Sequence, residues 1–114
     1  MERKGADILI YPASFSALTG PLHFTSLGIA RALDTQTFVC LNSASQNLDD
    51  QIHTAWGHSM IINPNGLVVA ASELGQELVF YDIDLEFIQK QRRGFPFKHQ
   101  RRHDFYELIE KRVY

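Results

Sequence analysis

The segment Asp7–Tyr11 (DILIY) is a short apolar run that lies only a few residues into the sequence. Its length and its flanking residues, Gly5 and Pro12, predict a β-strand buried on both faces, as in the middle of a layered sandwich. Proline cannot donate a backbone hydrogen bond to a neighbouring strand, so Pro12 is expected to end the strand and open a loop over residues 13–20. A chain that starts with such a strand needs other layers on both sides of it.

The following segment, Pro21–Leu33, predicts a helix that is apolar around more than half of its circumference. At about 100° per residue, Leu22, Ile29 and Leu33 fall on one side of the helix. Three further apolar residues widen this stripe: Phe24, Leu27 and Ala30. Such a wide apolar surface predicts packing on two sides, against the sheet and against a second layer or a partner. Thr19 is the candidate N-cap, and a proline lies inside the first turn.

Two polar residues, His23 and Asp34, lie within the apolar arc of this helix, and Arg31 precedes Asp34 by three residues. Buried polar groups need partners, so Arg31 and Asp34 are predicted to form a structural ion pair across one helical turn. If that pair is buried, removal of one partner would cost about 3–5 kcal/mol.

The remaining pattern indicates an α/β layer protein with five strands and two or three helices. After the first helix, the predicted elements are a strand at Thr37–Leu41, a hairpin of His58–Ile62 and Leu67–Ala71, a final strand at Glu77–Ile83, and helices over 85–93 and 104–111. The turn Asn63–Gly66 contains the Pro-Asn-Gly sequence that suits a hairpin, and Asp84 is placed to cap the helix that follows it. Residues 42–54 are polar and predict a surface loop. The early strand without a partner and the two-sided helix together indicate a chain that is incomplete as a folding unit.

Composition excludes several classes of protein. The 114 residues are 45% hydrophobic and 21% charged, which is typical of one globular domain. No apolar run approaches the roughly 20 residues of a membrane span. The apolar run before Pro12 has too few residues for a signal peptide. Cys40 is the single cysteine, so an internal disulfide and a cysteine-based zinc cluster are excluded. We expect a cytoplasmic protein without metal or cofactor.

Charge is divided unevenly along the chain. Residues 1–88 carry a net charge of −7, with three basic against ten acidic side chains, and residues 89–114 carry +5, with eight against three. The aromatic residues Phe95, Phe97, Phe105 and Tyr106 lie among these basic ones. We therefore divide the chain into a domain at residues 1–93 and a basic aromatic arm at residues 94–114. The arm is interpreted as a clasp between subunits. A solvated tail is an alternative, and nucleic acid is an unlikely partner because the acidic body would repel phosphate.

A series of motifs resembles the carbon–nitrogen hydrolases of the nitrilase superfamily. The motifs are Gly5–Phe15 (GADILIYPASF), Thr19–Phe24 (TGPLHF), Ala30–Asp34 (ARALD), Ala55–Ser59 (AWGHS), Asn63–Gly66 (NPNG), Tyr81–Leu85 (YDIDL) and Lys98–Tyr106 (KHQRRHDFY). They cover nearly the whole chain in order. The Thr-Gly-Pro-x-His and Trp-Gly-His-Ser versions are most similar to the omega-amidase branch, which hydrolyses the terminal amide of small dicarboxylic monoamides.

The resemblance implies the C-terminal half of a four-layer αββα sandwich, a fold that dimerises through its helices. It also implies a cysteine nucleophile, a glutamate base and a lysine that holds the oxyanion, all expected before Met1. The chain alone is therefore expected to be inactive, and a small amide substrate would bind only if an N-terminal half completes it. The alternative is a non-catalytic family member that acts as a binding or dimerisation partner. The resemblance also allows a mitochondrial location, although no transit peptide is seen.

Two nucleophiles within the chain are interpreted as structural. Cys40 lies in the middle of TFVCL, where a free cysteine usually serves as a small buried hydrophobic residue, and a reactive thiolate would need a base or a helix N-terminus beside it. Ser59 follows His58 directly, and adjacent residues on a strand point to opposite faces, so the two do not form a hydrolase dyad.

The resemblance places the substrate-pocket wall in the loop after the first strand and at the start of the helix. Pro12, Ser14 and Phe15 would lie beside the nucleophile at the strand's C-terminal end, where α/β proteins bind ligands. Thr19 and His23 are placed to donate hydrogen bonds to a substrate carboxylate near the helix N-terminus. In the structural alternative, Thr19 only caps the helix and His23 is a hydrogen-bonded core residue. The chain departs from the omega-amidase pattern at Ser14, Ser16, Ala17 and Phe24, which leaves the substrate open.

Overall fold

The computed structural model describes residues 5–46, 54–107 and 109. These residues form four strands and three helices. In chain order they are β1 (Ile8–Pro12), α1 (Gly20–Thr35), β2 (Phe38–Asn42), β3 (Met60–Ile62), β4 (Val68–Ala71), α2 (Leu85–Gly94) and α3 (Phe97–Gln100). The predicted α/β class is confirmed. Within the described ranges, no helix is long and apolar enough to cross a membrane.

The four strands form one mixed sheet in the order β1-β2-β3-β4. β1 and β2 are parallel, with Ile8 opposite Phe38, and α1 supplies the crossover that a parallel connection requires. The β2–β3 and β3–β4 pairs are antiparallel. The predicted hairpin is thus confirmed, and Gly66 supplies the positive φ of +76° at its turn.

Helix α1 contacts the sheet through a row of mostly small residues spaced four apart: Gly20, Phe24, Gly28 and Ala32, all buried. A Cβ atom at Gly28 would lie 2.6 Å from the Cδ1 atoms of Leu41 and Ile62. The absence of a side chain at this position therefore lets the helix approach β2 and β3 closely. The buried core is completed by Leu9, Val39 and Met60 from the sheet.

The apolar stripe predicted for α1 marks the sheet-facing side only in part, since Phe24 of that stripe is buried there. Leu22 is 65% exposed and Leu33 is 42% exposed, whereas Ile29 packs partly against the core. The face that contains Gly28 takes the sheet side because it allows the closer approach. Leu22 is left exposed, and Leu33 lies beside Gly66 of the β3–β4 turn. Packing against the sheet on one side is confirmed, and the described residues leave much of the second apolar side of α1 exposed.

Strand β1 was expected to be buried on both faces, and this prediction is wrong for the structure. Leu9 is buried under α1, while Ile8 and Ile10 on the other face are 38% and 69% exposed. β1 is an end strand of the four-stranded sheet, and the described residues leave most of its second face uncovered. Pro12 is the last residue of the strand, as predicted.

The region after the hairpin corrects a second prediction. Residues 77–83 form no strand, although their apolar pattern predicted one. Leu78 and Phe80 are 83% and 78% exposed, and Tyr81 lies against Phe38 with ring centroids 6.1 Å apart. A strand requires a neighbouring strand for its backbone hydrogen bonds, and none of the described strands pairs with this segment.

The C-terminal helices agree with the sequence in part. Asp84 caps α2 as predicted, since its Oδ1 accepts a hydrogen bond of 2.8 Å from the Glu86 N–H. Ile88 is fully buried and Phe87 packs near Phe38, so α2 covers one end of the second sheet face. The short helix α3 was not predicted. Residues 104–107 are not helical, and the rest of the helix predicted over 104–111 lies outside the described residues except for residue 109.

Candidate functional site

An apolar groove lies between α1 and the C-terminal ends of β1 and β2. Its volume is about 220 Å³, and its walls include Tyr11, Phe15, Phe24, Leu27, Arg31 and Leu41. The Phe15 and Phe24 rings meet edge to face, with centroids 5.3 Å apart. We call this cavity the α1–β1 groove. Its position outside the carboxyl ends of parallel strands is the usual place for a ligand in an α/β sheet.

Of the five predicted wall residues, one lines this groove. Phe15 lines the α1–β1 groove. Ser14 and Phe15 also border a neighbouring cavity of about 210 Å³ that includes Ser16. Pro12 lies at the end of β1, opposite Asn42 of β2, and is exposed. Sequence reasoning missed Tyr11, although its spacing of two residues from Leu9 would have placed both on the same face of the strand.

Thr19 lies at the start of α1, but its hydroxyl does not cap the helix. The residue has helical angles, φ −97° and ψ −23°, rather than the extended conformation of a typical N-cap. Its Oγ1 lies 3.1 Å from the Ser16 Oγ instead. The prediction of a side-chain cap is therefore wrong, because the loop before the helix offers the hydroxyl a different partner.

The titratable residues of α1 are solvent-exposed rather than buried. His23 is exposed, so the alternative of a core histidine is wrong. Arg31 and Asp34 form the predicted pair, with Nη1 and Oδ2 3.5 Å apart, but their side chains are 53% and 67% exposed. The condition of burial, on which a cost of about 3–5 kcal/mol depended, is therefore not met in this structure.

Cys40 lies at the centre of β2, between Ile10 and Ile61 of the adjacent strands. Its side chain is half-buried, and burial raises the pKa of the thiol. A thiol protonated at neutral pH is a poor nucleophile. The structure therefore agrees with the interpretation of Cys40 as a structural residue.

Trp56 forms a shelf beneath the start of α1, and His58 and Ser59 follow it along the chain. The His58 ring stacks on Trp56 with centroids 4.0 Å apart, and its Nδ1 donates to the Trp56 carbonyl at 2.6 Å. A Cβ atom on Gly20 would overlap the Trp56 side chain, so glycine is required where the helix crosses this shelf. Ser59 Oγ accepts from the Ser43 N–H at 3.0 Å and donates to the Ser43 carbonyl at 3.2 Å, which is a structural role.

Arg102 and Asp104 form a well-defined ion pair in the described part of the basic arm. Arg102 donates through Nε and Nη2 to the two carboxylate oxygens of Asp104, at 2.8 and 2.6 Å. This bidentate contact lowers the pKa of Asp104. The guanidinium also lies over the Phe105 ring, 4.1 Å from its centroid. Over the described part of the chain, no group of three His, Cys, Asp or Glu side chains could hold a metal ion.

The fold and the order of the motifs agree with one known protein family. The carbon–nitrogen hydrolase family model matches residues 1–93, so the chain belongs to the carbon–nitrogen hydrolase family. It is 42% identical over 107 residues to the omega-amidase NIT3 of Saccharomyces cerevisiae. It is also 40% identical over 111 residues to the omega-amidase NIT2 of Xenopus tropicalis.

A solved structure confirms the fold. The crystal structure of Saccharomyces cerevisiae Nit3, a member of branch 10 of the nitrilase superfamily, superimposes with a TM-score of 0.83 at 40% identity, covering 89% of this chain and 37% of that chain. The alignments with NIT3 and NIT2 include 94% and 97% of this chain, but only 36% and 40% of those relatives. The chain thus spans well under half the length of the proteins it matches.

Proposed function

We propose that this chain forms part of the substrate site of an omega-amidase-type carbon–nitrogen hydrolase. The substrate would be a small dicarboxylic monoamide, and the reaction would release ammonia from its terminal amide. The similarity to omega-amidases over almost the whole chain is the observation that carries this proposal. The α1–β1 groove supports it, because its apolar walls suit a short carbon chain.

The chemistry of the proposal requires groups that this chain does not supply. Amide hydrolysis by this route begins with a thiolate that attacks the carbonyl carbon, after which ammonia leaves and water releases the acyl group. Cys40 is unsuited to this step because burial raises its thiol pKa and its Sγ has no hydrogen-bond partner in the described residues. The nucleophile, the glutamate base and the lysine would therefore come from a complementary N-terminal portion.

The wall residues have distinct roles in this proposal. Phe15 bounds the apolar part of the groove, and Pro12 and Ser14 shape the loop beside it. Thr19 and His23 lie at the first turn of α1 and are exposed, so they can reach the free carboxylate of a substrate, which the helix N-terminus also favours.

A second function rests on the exposed apolar surface. Ile10, Leu78 and Phe80 are each more than two-thirds exposed, an arrangement typical of surfaces that bind another protein. In this alternative the chain is a non-catalytic family member in the cytoplasm that associates with a full-length relative or with a second copy of itself.

The test of the proposal is ammonia release from succinamate, a dicarboxylic monoamide. The purified chain alone is expected to give none. The chain mixed with the N-terminal portion of a related omega-amidase, which carries that protein's own cysteine, is expected to give turnover. Cys40→Ala is the matched control and should leave the mixture active. Turnover by the isolated chain that disappears in Cys40→Ala would overturn the proposal.

The association alternative has a separate readout. A pull-down of a full-length relative by this chain, with no ammonia release from any mixture with the N-terminal portion, would favour the non-catalytic role. Activity that appears only in the mixture would favour the amidase role.

A further inference from the structure

A second cleft lies at the opposite end of α1 from the wall residues Thr19 and His23. The C-terminal end of α1 faces the end of α2 and the short helix α3 across a cavity of about 330 Å³. Its walls include Thr35, Gln36, Arg92, Arg93, Lys98 and His99. We call it the basic cleft. It shares no lining residue with the α1–β1 groove.

One buried side chain fixes the two helix ends that border the basic cleft. Gln36 is 6% exposed and has the left-handed conformation, φ 51°, that ends α1. Its Nε2 donates to the Phe95 carbonyl at 2.7 Å and contacts the Gln91 carbonyl at 3.5 Å. These contacts fix the end of α2 against the end of α1. The chain then turns at Pro96 into α3, which places Lys98 and His99 on the cleft wall.

Three cationic or protonatable side chains of the cleft have no acidic partner among the residues that the structure describes. The charge of Arg92 is balanced by an ion pair, since its Nη1 lies 2.8 Å from Asp7 Oδ1. By contrast, Arg93, Lys98 and His99 make no ion pair and no side-chain hydrogen bond with the described residues. The concave shape concentrates their field within the cavity.

Two backbone carbonyl groups at the end of α2 are occupied by other donors. Carbonyl groups at the end of a helix attract cations, and the Gln91 and Phe95 carbonyls lie at the end of α2. Both already accept other donors. The Gln91 carbonyl accepts the Phe95 N–H at 2.9 Å, and the Phe95 carbonyl accepts the Phe97 N–H at 2.8 Å as well as the Gln36 amide.

We propose that the basic cleft binds a small phosphate-bearing anion in free solution. Its volume accommodates a diphosphate group, and the guanidinium of Arg93 and the ammonium of Lys98 are the groups that proteins use for phosphate. A long polyanion is disfavoured because residues 1–88 carry a net charge of −7, which would repel any phosphates beyond the cleft. This proposal does not depend on the amidase function.

The test is calorimetric titration of the full chain with inorganic pyrophosphate. We expect one site per chain, with affinity that falls as salt is raised from about 50 to about 200 mM because both partners are charged. Arg93→Gln and Lys98→Gln should each weaken binding about tenfold, since each removes a charge-assisted hydrogen bond. Both residues are exposed, so circular dichroism spectra should remain unchanged.

Lys90→Gln is the matched control. Lys90 is also exposed on α2 but does not line the cleft. Its replacement by glutamine removes the same charge as Lys98→Gln. Unchanged binding in this variant supports a localised site, as does partial recovery in Arg93→Lys. Equal weakening by Lys90→Gln, or no binding of pyrophosphate by the natural chain, overturns the proposal.

Three further probes distinguish the source of the anion. Succinate that binds as tightly as pyrophosphate would overturn the assignment to phosphate. If vesicles that contain phosphatidylinositol phosphate still bind the chain in excess pyrophosphate, the ligand of the cleft is a membrane surface instead. If single-stranded DNA binds more tightly than pyrophosphate, and Lys90→Gln and Lys98→Gln weaken that binding equally, the ligand is nucleic acid. Weak or no binding to all three supports the free small anion.

Discussion

Gly28 lies where α1 crosses β2 and β3, and its missing side chain has consequences for the whole core. A Cβ atom there would lie 2.6 Å from the Cδ1 atoms of both Leu41 and Ile62, closer than real carbon contacts allow. The sheet side chains cannot withdraw without disturbing a close-packed interior. A glycine that is unfavourable in an isolated helix is thus the residue on which this helix–sheet contact depends.

We expect Gly28→Ala to lower the free energy of unfolding by about 1–3 kcal/mol through overpacking. The measurement is urea unfolding followed by circular dichroism. Gly94→Ala is the control, because Gly94 is also helical but nothing lies within 4 Å of its added Cβ, and alanine there should be neutral or stabilising. Equal stability of Gly28→Ala and the natural chain would contradict the close contact.

The Arg31–Asp34 pair provides a second prediction. Asp34→Asn should lower stability by less than about 1 kcal/mol, because both side chains are more than half exposed and water screens the attraction. Thermal unfolding in low and high salt would measure this contribution. A loss several times larger would mean that another layer covers this side of α1 in solution.

Cys40 provides a prediction on pH. Burial raises the pKa of its thiol in the folded state, so the folded chain holds this proton more tightly than the unfolded chain. The stability linked to the thiol is therefore fully present below the unfolded pKa and is lost as pH rises through the folded pKa. Alkylation by iodoacetamide at neutral pH should be slower than for a cysteine in an unstructured peptide. Faster alkylation would contradict the burial of the thiol.

At the level of elements, the β3–β4 hairpin shows how one side chain supports a turn. Asn63 is buried, and its Oδ1 accepts hydrogen bonds from the Asn65 and Leu67 N–H groups at 3.0 and 3.1 Å. Gly66 supplies the positive φ and also approaches Ile29 and Leu33 of α1. The turn therefore connects β3 to β4 and also packs the hairpin against α1.

Asn63→Ala should lower the free energy of unfolding by about 1–3 kcal/mol, since it leaves two backbone N–H groups without their acceptor. Asn65→Ala serves as the control, because the Asn65 side chain is exposed and should change stability by no more than about 0.5 kcal/mol. Chemical unfolding of both variants compares them directly. Similar losses in the two variants would show that the Asn63 oxygen does not support the turn.

Elements differed in how well the sequence predicted them, and locality explains the difference. The cap at Asp84 and the turn before Gly66 depend on contacts within a few residues, and both were predicted. Residues 77–83 were predicted to be a strand from their apolar pattern. A strand exists only with a neighbour to pair with, and that neighbour cannot be read from the segment itself.

The molecule as a whole has an open surface. Its accessible area is 8594 Å², whereas a compact monomer of this mass would have roughly 6300 Å². Its radius of gyration is 16.4 Å, against about 13 Å for a compact domain of this length. Nineteen large hydrophobic side chains are exposed among the described residues, and nine hydrophobic residues form the core. The uncovered face of β1 and the outer side of α1 account for part of this surface.

We therefore expect the isolated chain to associate as its concentration rises, because association removes apolar area from water. Ile10→Lys should reduce this association, since Ile10 is 69% exposed on the uncovered face of β1. Leu67→Lys is the control, because Leu67 is exposed at the hairpin turn, away from that face. Sedimentation velocity would measure both. A chain that stays monomeric throughout would contradict this expectation.

The sequence by itself determined the α/β class, the family, the hairpin turn, the cap of α2 and the existence of the Arg31–Asp34 pair. Each depends on motif order or on neighbours along the chain. Only the tertiary structure decided which side of α1 meets the sheet. The close approach at Gly28 favours that side over the side with more large apolar residues. The tertiary structure also decided the joining of α1 to α2 through Gln36, a contact between residues 59 positions apart that no local pattern encodes.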